Sequence, residues 1–468
     1  MSVDHTRSWR HQIPPTVEKR LQRPELLDRL KEGVALPVTI LSAPAGYGKT
    51  TLLSQWAADA PKKIGWLTLD RFDNDPAVFL EHFVHTMQQI QPSIGNAVFK
   101  MLQAEKKPKM EDVLKRMLDD VALVMSDFVI VLDDYHVIYS PPIHAMMTFI
   151  LTYLPPQMHV VVAAQTDPPF GDLARHRSYE RLMEIRTPYF GFSVDECEKL
   201  LKQQFQIMLP YGPISAIVET ATSRPIAINY VALLLEGDDK PVTFVDQYEK
   251  SDGDSLVMPF DALLEKVDAE LQDFLRDISI LDVFNADVAA AVSGCSDAAE
   301  KLVMLAGKGH VVEYVDSDKK WFRLHSLARE QLNLRLHRTG LEHLAEIHAR
   351  AGKVFAVLEM PFPAFFHFSE AGEFDFAAVL VEQYSASWLQ KGRMLSILNW
   401  LKVIPETTLE KRPQLAITSA WVALVGGDVE KVAKYLELAD AAKGEGEAAS
   451  KIAENIDAIQ HFISQRQQ

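Results

Sequence analysis

Cysteine is scarce in this chain. Its 468 residues include only Cys197 and Cys295, in unrelated surroundings. Two isolated thiols provide neither a disulfide framework nor the spacing of a metal site, which is typical of a protein from a reducing compartment. The sequence also lacks an apolar run of membrane-spanning length, and Met1–Arg20 has no apolar core of the signal-peptide kind. We therefore predict a cytoplasmic protein with no membrane partner.

Basic residues are also fewer than acidic residues. The chain has 48 lysines and arginines against 64 aspartates and glutamates, which gives a net charge of −16 at pH 7. A broad nucleic-acid surface needs clustered positive charge to neutralise phosphates, so we expect no direct DNA-binding domain in these residues. Hydrophobic residues make up 48% of the chain, as in ordinary globular proteins. Its length is that of roughly three or four domains.

The most informative feature is a glycine-rich loop that follows the apolar run Val38–Leu41. It reads Ser-Ala-Pro-Ala-Gly-Tyr-Gly-Lys-Thr-Thr from Ser42 to Thr51, and a helical pattern follows. Glycines let the backbone turn its N–H groups towards phosphate oxygens, and the helix N-terminus adds a positive dipole end. The pattern predicts nucleotide contacts from Ala45, Gly46, Tyr47, Gly48, Lys49, Thr50 and Thr51.

Two residues of this loop have specific expected roles. Lys49 is expected to reach the β- and γ-phosphates, and the Thr50 hydroxyl is expected to ligate Mg²⁺. The first position of the strict pattern is Ala43 instead of glycine, which suits the loop if its φ is negative. The alternative interpretation is an ordinary glycine-rich turn between a strand and a helix.

A second apolar run, Phe128–Leu132, ends in two acids. In P-loop NTPases a strand-end acid holds Mg²⁺, and ligands of open α/β sheets bind at the strand ends. We predict that Asp133 holds Mg²⁺ and that Asp134 orients or deprotonates the attacking water. The alternative is a buried strand that ends in a solvated turn.

Two further charged clusters follow strands. Arg175 and Arg177 come after the run His159–Ala164, where a cation would sense the γ-phosphate and stabilise charge during its transfer. Alternatively, the two arginines lie on a solvated basic helix face. The acidic segment Asp70–Pro76 is interpreted as turn and helix-cap chemistry in preference to a metal site.

The order of apolar runs and helical patterns predicts a multidomain protein of the α/β and α classes. Apolar runs at 38–41, 64–69, 128–132 and 159–164 indicate the parallel sheet of a P-loop NTPase, and two short runs at 310–315 and 320–324 indicate a hairpin of a winged-helix domain. The predicted divisions are a lead-in at 1–30, a P-loop NTPase domain at 31–190, a helical domain and linker at 191–250, a winged-helix-like domain at 251–335, and truncated TPR-like helical repeats, the start of an α-solenoid, at 336–468.

The segment Ser42–Ala58 resembles the large ATP-binding regulators of the MalT type, within the LuxR superfamily. These proteins are signal-transduction ATPases with numerous domains (STAND). The likeness continues at Gly65–Pro76, Val131–His136, Leu173–Ile185 and Trp321–Leu327, and then at 398–415. It therefore covers nearly the whole chain, and the combination is more specific than any single piece.

The resemblance implies a nucleotide switch. Such proteins rest as ADP-bound monomers and become ATP-bound oligomers when an inducer, a small molecule or a protein, binds the helical repeats. Slow hydrolysis resets them, and the oligomers regulate transcription. By match to family motifs, ATP or ADP with Mg²⁺ is the cofactor, His325 touches ADP, Arg23 and Pro225 lie near the nucleotide, and Arg175 and Arg177 are sensor arginines.

Three positions depart from the family pattern. Gln165-Thr166 stands where the family has Ser-Arg after the fourth strand, which removes one expected phosphate-sensing arginine. Ser223 stands where the family has glycine before Pro225. The sequence ends at Gln468, within the repeats, so the family's C-terminal helix-turn-helix domain is expected to be lost by truncation or supplied by a partner.

Two other functions compete with the switch. A P-loop small-molecule kinase would need an acceptor pocket and usually a lid within the α/β domain, and the large helical extension favours the switch instead. A nucleotide-dependent interaction scaffold without DNA-linked output is the other alternative. Lys49, Thr50, Asp133 and Asp134 are all present, so we expect weak ATP turnover and not catalytic silence.

Overall fold

The computed structural model describes residues 9–15, 21–102, 108–171, 173–236, 242, 245, 258–308, 311–426 and 428–466. The chain forms two compact units. The first comprises Met1–Asn74, Phe79–Phe99 and Pro108–Gly340, and the second comprises Asp75–Val78, Lys100–Lys107 and Leu341–Gln468. The finer division into five segments stays a prediction.

A five-stranded parallel sheet forms the centre of the first unit. Its strands are β1 (Val38–Ser42), β2 (Lys63–Thr68), β3 (Phe128–Asp133), β4 (Met158–Ala164) and β5 (Leu182–Arg186), in the order β2-β3-β4-β1-β5. All residues of β1, β3 and β4 are buried, because a parallel sheet with helices on both faces has no solvated side. This confirms the predicted α/β class.

Helices surround this sheet and connect its strands. They are α1 (Pro24–Gly33), α2 (Lys49–Ala58), α3 (Pro76–Ile90), α4 (Asn96–Leu102), α5 (Met110–Ala122), α6 (Pro141–Thr152), α7 (Leu173–Ser178) and α8 (Thr187–Phe190). Proline occupies the first turn of α1, α6 and α8, where its missing N–H has no helical partner to lose. Trp56, Trp66 and Phe190 pack with the strand residues in one buried cluster.

A small helical bundle follows the sheet. It contains α9 (Val194–Gln204), α10 (Tyr211–Thr220) and α11 (Pro225–Leu235). Ser193 and Glu196 form a capping box, in which the Ser193 side chain accepts from the Glu196 N–H and Glu196 accepts from the Ser193 N–H. The end of the segment predicted as a helical domain and linker, from 237 to 250, lies almost entirely outside the described residues.

The remainder of the first unit is helical with a small antiparallel sheet. Its helices are α12 (Met258–Glu265), α13 (Ala269–Asp277), α14 (Ala286–Ser293), α15 (Ala298–Lys308) and α16 (Ser326–His337). The predicted hairpin is β7 (Val312–Tyr314) with β8 (Trp321–Leu324). A third strand, β6 (Phe284–Asn285), pairs with β8 and was not predicted, because two residues carry no periodic pattern.

The second unit is built from consecutive helices. They are α17 (Leu341–Val357), α18 (Pro361–Glu370), α19 (Phe374–Gln390), α20 (Met394–Val403), α21 (Glu406–Leu409), α22 (Pro413–Gly426), α23 (Val429–Ala442) and α24 (Glu447–Arg466). A Cβ at Gly352 would lie 2.6 Å from the Phe368 ring, so glycine permits the close packing of α17 on α18. Phe365 stacks on Trp400 with ring centroids 4.2 Å apart. No helix of the described residues is long and apolar enough to cross a membrane.

Candidate nucleotide site

The loop between β1 and α2 is shaped by two glycines with left-handed backbone angles. Gly46 has φ 79° and Gly48 has φ 82°, whereas Ala43 is not among the positive-φ residues, so alanine serves at that position. A Cβ at Gly46 would lie 2.3 Å from Ile226 Cγ2, and a Cβ at Gly48 would meet nothing within 4 Å. Both positions therefore need glycine for their backbone angles, and Gly46 needs it also for close packing against α11.

Lys49 lies at the first position of α2 and is only 7% exposed. Its Nζ donates to the carbonyl oxygens of Ala43, at 2.6 Å, and Pro44, at 3.1 Å. Burial lowers the pKa of Lys49, although Asp134 and Asp133 oppose the effect. The ammonium group is thus held inside the loop by neutral acceptors, and phosphate oxygens would be stronger partners for it.

Thr50 and Asp133 meet at the end of β3. Thr50 Oγ1 donates to both carboxylate oxygens of Asp133, at 2.9 and 3.1 Å. Asp133 is fully buried, and burial together with the neighbouring Asp134 raises its pKa to about 7. A hydroxyl and a carboxylate are ligands that Mg²⁺ prefers, and a divalent cation would supply the positive charge that this buried carboxylate needs. The donor set therefore fits the predicted metal.

Asp134 has an unusual backbone for a non-glycine residue, with φ 58° and ψ 33°. Its Oδ2 accepts from Arg323 Nη1 at 3.2 Å, and its Oδ1 lies 3.8 Å from His136 Nδ1. The other ring nitrogen of His136 lies 2.8 Å from Gln165 Nε2. Gln165, one of the departures from the family pattern, thus contacts the candidate base Asp134 indirectly, through His136.

A cavity of ≈ 380 Å³ opens above the loop, a size that suits a small-molecule ligand. The predicted binding residues that line it are Arg23, Ala45, Gly46, Tyr47, Gly48, Lys49, Thr50, Thr51, Asp134, Pro225 and His325. Groups from the sheet, from α11 and from the winged-helix region therefore share one cavity. Its apolar part includes Leu26, Phe192 and Ile226.

Arg23 lines the cavity, but its hydrogen-bond donors are committed elsewhere. They contact both carboxylate oxygens of Glu196, at 2.6 and 3.1 Å, and the carbonyl oxygens of Tyr189, Phe190 and Gly191. The guanidinium carbon also lies 5.1 Å from the Phe192 ring centroid. Arg23 thus fastens the start of α1 to the start of α9 while it contributes to the cavity wall.

The predicted sensor arginines lie elsewhere in this conformation. Among the residues that the structure describes, neither Arg175 nor Arg177 lines the cavity. Arg177 is exposed, and its Nε and Nη2 donate to Glu184 at 2.8 and 2.7 Å, an ion pair that raises the pKa of Arg177. This exposed position of Arg177 agrees with the alternative interpretation, in which the arginine lies on a solvated basic helix face. Contact of either arginine with a γ-phosphate stays a prediction.

The structure adds cationic residues that the sequence argument did not select. Arg323 on β8 reaches the site, and Arg71 and Arg329 line the same cavity and share the carboxylate of Asp282. A signal for Arg323 did exist. Phe322 and Leu324 are apolar and buried, so the alternation of a strand directs Arg323 to the opposite face.

The described N-terminal segment contributes a wall of the cavity. Trp9 is 3% exposed and lines it, and Arg10 is 1% exposed. Arg10 donates to Asp70 at 2.6 Å and to Asp73 at 2.7 Å. The acidic segment therefore has two structural roles. Asp70 accepts from the Phe72 N–H within the turn, and Asp70 and Asp73 pair with the buried Arg10. Sequence reasoning missed these residues because a single basic residue far upstream gives no pattern.

A phosphate loop between β1 and α2, followed by a strand-end acid pair on a parallel sheet, defines the P-loop NTPase class. Residues 260–344 match the MalT winged helix domain family. The chain is also 24% identical, over 91% of its length, to the HTH-type transcriptional regulator MalT of Vibrio campbellii, and 26% identical to that of Yersinia enterocolitica. It spans about half of these relatives, 47% and 48% of their lengths.

Two further similarities extend the comparison. The chain is 25% identical to the serine/threonine-protein kinase PknK of Mycobacterium tuberculosis, over 86% of this chain and 36% of that protein. A crystal structure of a signal transduction ATPase with numerous domains from Pyrococcus horikoshii, which carries a tetratricopeptide repeat sensor, aligns with a TM-score of 0.69 and 15% identity. It covers 97% of this chain and 66% of that one. The resemblance to MalT-type regulators is therefore confirmed, and so is the predicted fold class.

Proposed function

We propose that this chain is a nucleotide-operated regulatory switch. It binds ATP or ADP with Mg²⁺, hydrolyses ATP slowly, and self-associates in the ATP state to regulate transcription. The names of its MalT relatives support the regulatory part. An effector, a small molecule or a protein, acts through the helices of the second unit, and the repeat sensor of the Pyrococcus structure supports this assignment.

One observation carries the proposal: the phosphate loop and the winged-helix strand β8 line the same cavity. Arg323 and His325 line it from the winged-helix region, and Lys49 and Thr50 line it from the phosphate loop. A ligand in this cavity would touch both regions, so its identity would bias their arrangement. A ligand shifts a conformational equilibrium only through differential contacts of this kind.

Each residue of the site has a defined task under this proposal. Lys49 binds the β- and γ-phosphates, and Thr50 and Asp133 hold Mg²⁺. Asp134 orients the attacking water or accepts its proton. Bound nucleotide with Mg²⁺ supplies the scissile phosphoanhydride and the charge that polarises it. A switch requires slow turnover, because its ATP state must be long-lived.

His325 is proposed to stabilise the ADP state. It lies at the end of β8, with its Nε2 3.5 Å from Glu313 Oε2, and it lines the cavity. A histidine N–H donates readily to a phosphate oxygen. Because His325 directly precedes α16, this contact would couple the bound nucleotide to the winged-helix region.

Solution mass in each nucleotide state tests the switch. The full chain is measured by light scattering with ADP and with a slowly hydrolysed ATP analogue, both with Mg²⁺. Lys49→Ala serves as the site variant. Lys31→Ala serves as a matched control, because Lys31 is 61% exposed and pairs with Asp28 outside the cavity.

We expect a larger mass with the ATP analogue than with ADP in the wild type and in Lys31→Ala, and no such difference in Lys49→Ala. Nucleotide binding with the same mass in ADP and in the ATP analogue would refute self-association that is driven by the nucleotide alone. It would then favour the interaction scaffold.

A further inference from the structure

The contact between β8 and the end of β3 involves the candidate catalytic carboxylate itself. Arg323 Nη1 lies 3.2 Å from Asp134 Oδ2, and Arg323 Nε lies 2.5 Å from Glu313 Oε1. The Arg323 side chain is 18% exposed, Asp134 28% and Glu313 16%. A partly buried guanidinium between two carboxylates forms stronger hydrogen bonds than a solvated pair.

Glu313 determines where Arg323 points. It occupies β7 directly opposite Arg323 in the antiparallel register. A directly opposed pair of opposite charge stabilises a hairpin. The guanidinium is therefore carried on the hairpin as a preoriented group, and its second edge is presented to Asp134.

The carboxylate of Asp134 has little freedom to avoid this contact. Its backbone is in the left-handed region, with φ 58°, and its N–H donates to Asp133 Oδ1 at 3.1 Å. One side-chain oxygen faces Arg323 and the other faces His136. An oxygen that accepts from a guanidinium offers less to a water molecule.

We propose that Arg323 is a latch that withholds Asp134 from the attacking water while β8 lies against the end of β3. The inference rests on the proposed function and adds its regulation. Arg323 is then a positioning residue that acts through Asp134. Displacement of the hairpin frees Asp134, so hydrolysis is slow in the closed arrangement and faster in the open one.

A competing role for Arg323 predicts the opposite effect. If the guanidinium instead stabilises charge on the transferred phosphoryl group, its removal slows hydrolysis. If Arg323 merely stabilises the hairpin, its removal lowers the melting temperature and leaves turnover per folded molecule unchanged. The sign of the change in kcat separates these roles.

The experiment uses the full chain with Arg323→Ala and Arg323→Lys. Arg335→Ala is the matched control, because Arg335 is a winged-helix arginine that pairs with Asp261 at 2.8 Å and does not line the cavity. The double variant Glu313→Gln/Arg323→Gln removes both charges of the hairpin pair, so Glu313 is not left as a carboxylate without its cation. Turnover of ATP is measured at saturation, and affinity is measured with a slowly hydrolysed analogue.

The latch predicts a rise in kcat of roughly ten- to a hundredfold in Arg323→Ala. This fold-change corresponds to the free energy of one hydrogen bond to a charged group. The affinity for the analogue should change by less than about threefold, since the phosphate-binding groups are intact. Arg323→Lys should give a smaller rise because lysine keeps the charge without the planar fork. The double variant should behave like Arg323→Ala, and Arg335→Ala like the wild type.

Two results would overturn the latch alone: a kcat in the Arg323 variants that equals the wild type, or one that falls below it, while ATP is still bound and hydrolysed. Failure of the wild type to bind ATP would instead refute the proposed function, and the latch with it. Thermal melts of each variant confirm that turnover is compared between folded proteins.

Discussion

Replacing Lys49 with alanine removes one ammonium group from the phosphate loop and little else. In the structure this group donates to two backbone carbonyl oxygens, those of Ala43 and Pro44. A nucleotide would exchange these neutral acceptors for charged phosphate oxygens. The ammonium group would gain oppositely charged partners in the phosphates, so the loss falls mainly on the nucleotide complex and not on the free chain.

The size of the effect follows from that exchange. A charged hydrogen bond contributes about 1.5–3 kcal/mol, and part of this is already present in the contacts of Lys49 with Ala43 and Pro44. We expect Lys49→Ala to cost about 1–3 kcal/mol of nucleotide binding, which is about a 5- to 150-fold rise in Kd. The variant leaves two partly buried carbonyl oxygens, so its stability without nucleotide should fall by no more than about 1–2 kcal/mol.

Equilibrium titration with ADP and Mg²⁺ measures the effect directly, and a thermal melt without nucleotide checks the fold. Nucleotide should raise the Tm of the wild type and of Lys31→Ala, because a ligand that binds only the folded state stabilises it. The same concentration should raise the Tm of Lys49→Ala far less. A Kd for Lys49→Ala within about twofold of the wild type would show that the phosphates bind elsewhere.

Other expectations concern single side chains of the same unit. Asp134→Asn should bind ATP with near-normal affinity and hydrolyse it at least about a hundredfold more slowly, as single-turnover assays would show; asparagine tolerates the left-handed backbone at this position. His325→Ala should release ADP faster in a stopped-flow chase, and unchanged release would leave His325 with a structural role. Burial raises the pKa of Asp133 from 3.8 to about 7, so between these values the folded state holds a proton that the unfolded state has lost, and stability falls as pH rises. Mg²⁺ with nucleotide should therefore raise the Tm more at about pH 8 than at about pH 5.5, and an equal rise at both would contradict a metal role for Asp133. Arg10→Ala leaves the fully buried Asp73 without its cation, so denaturant titration should show a loss of about 3–5 kcal/mol, whereas a loss below about 1 kcal/mol would mean that the pair is not buried in solution.

The sequence alone predicts the parts of the site that depend on local pattern. The phosphate loop is recognisable because glycine, lysine and threonine stand at fixed spacing, and Asp133 follows a strand buried along its whole length. These features need only a few neighbouring residues, so one sequence is enough to place them.

Long-range partners could not be predicted in this way. Arg323 meets Asp134 across 189 positions of sequence, and Arg23 meets Glu196 across 173. Arg177 illustrates the reverse case, because its local basic pattern suits a sensor and its carboxylate partner comes from β5. Strand β5 itself was not predicted, because its edge position leaves most of its side chains partly exposed and its pattern is less apolar.

Trp9 is an intrinsic fluorescent probe of the cavity. The chain contains 7 tryptophans, and Trp9 is the one that lines the cavity within the described part of the chain. Its ring lies 5.5 Å from the Arg10 guanidinium carbon. Indole emission responds to nearby charge and to water, so binding of an anionic ligand beside Trp9 would change the wavelength and the intensity of Trp9 emission. The chain thus carries its own fluorophore at the wall of the cavity, and Trp9→Phe identifies its share of the signal.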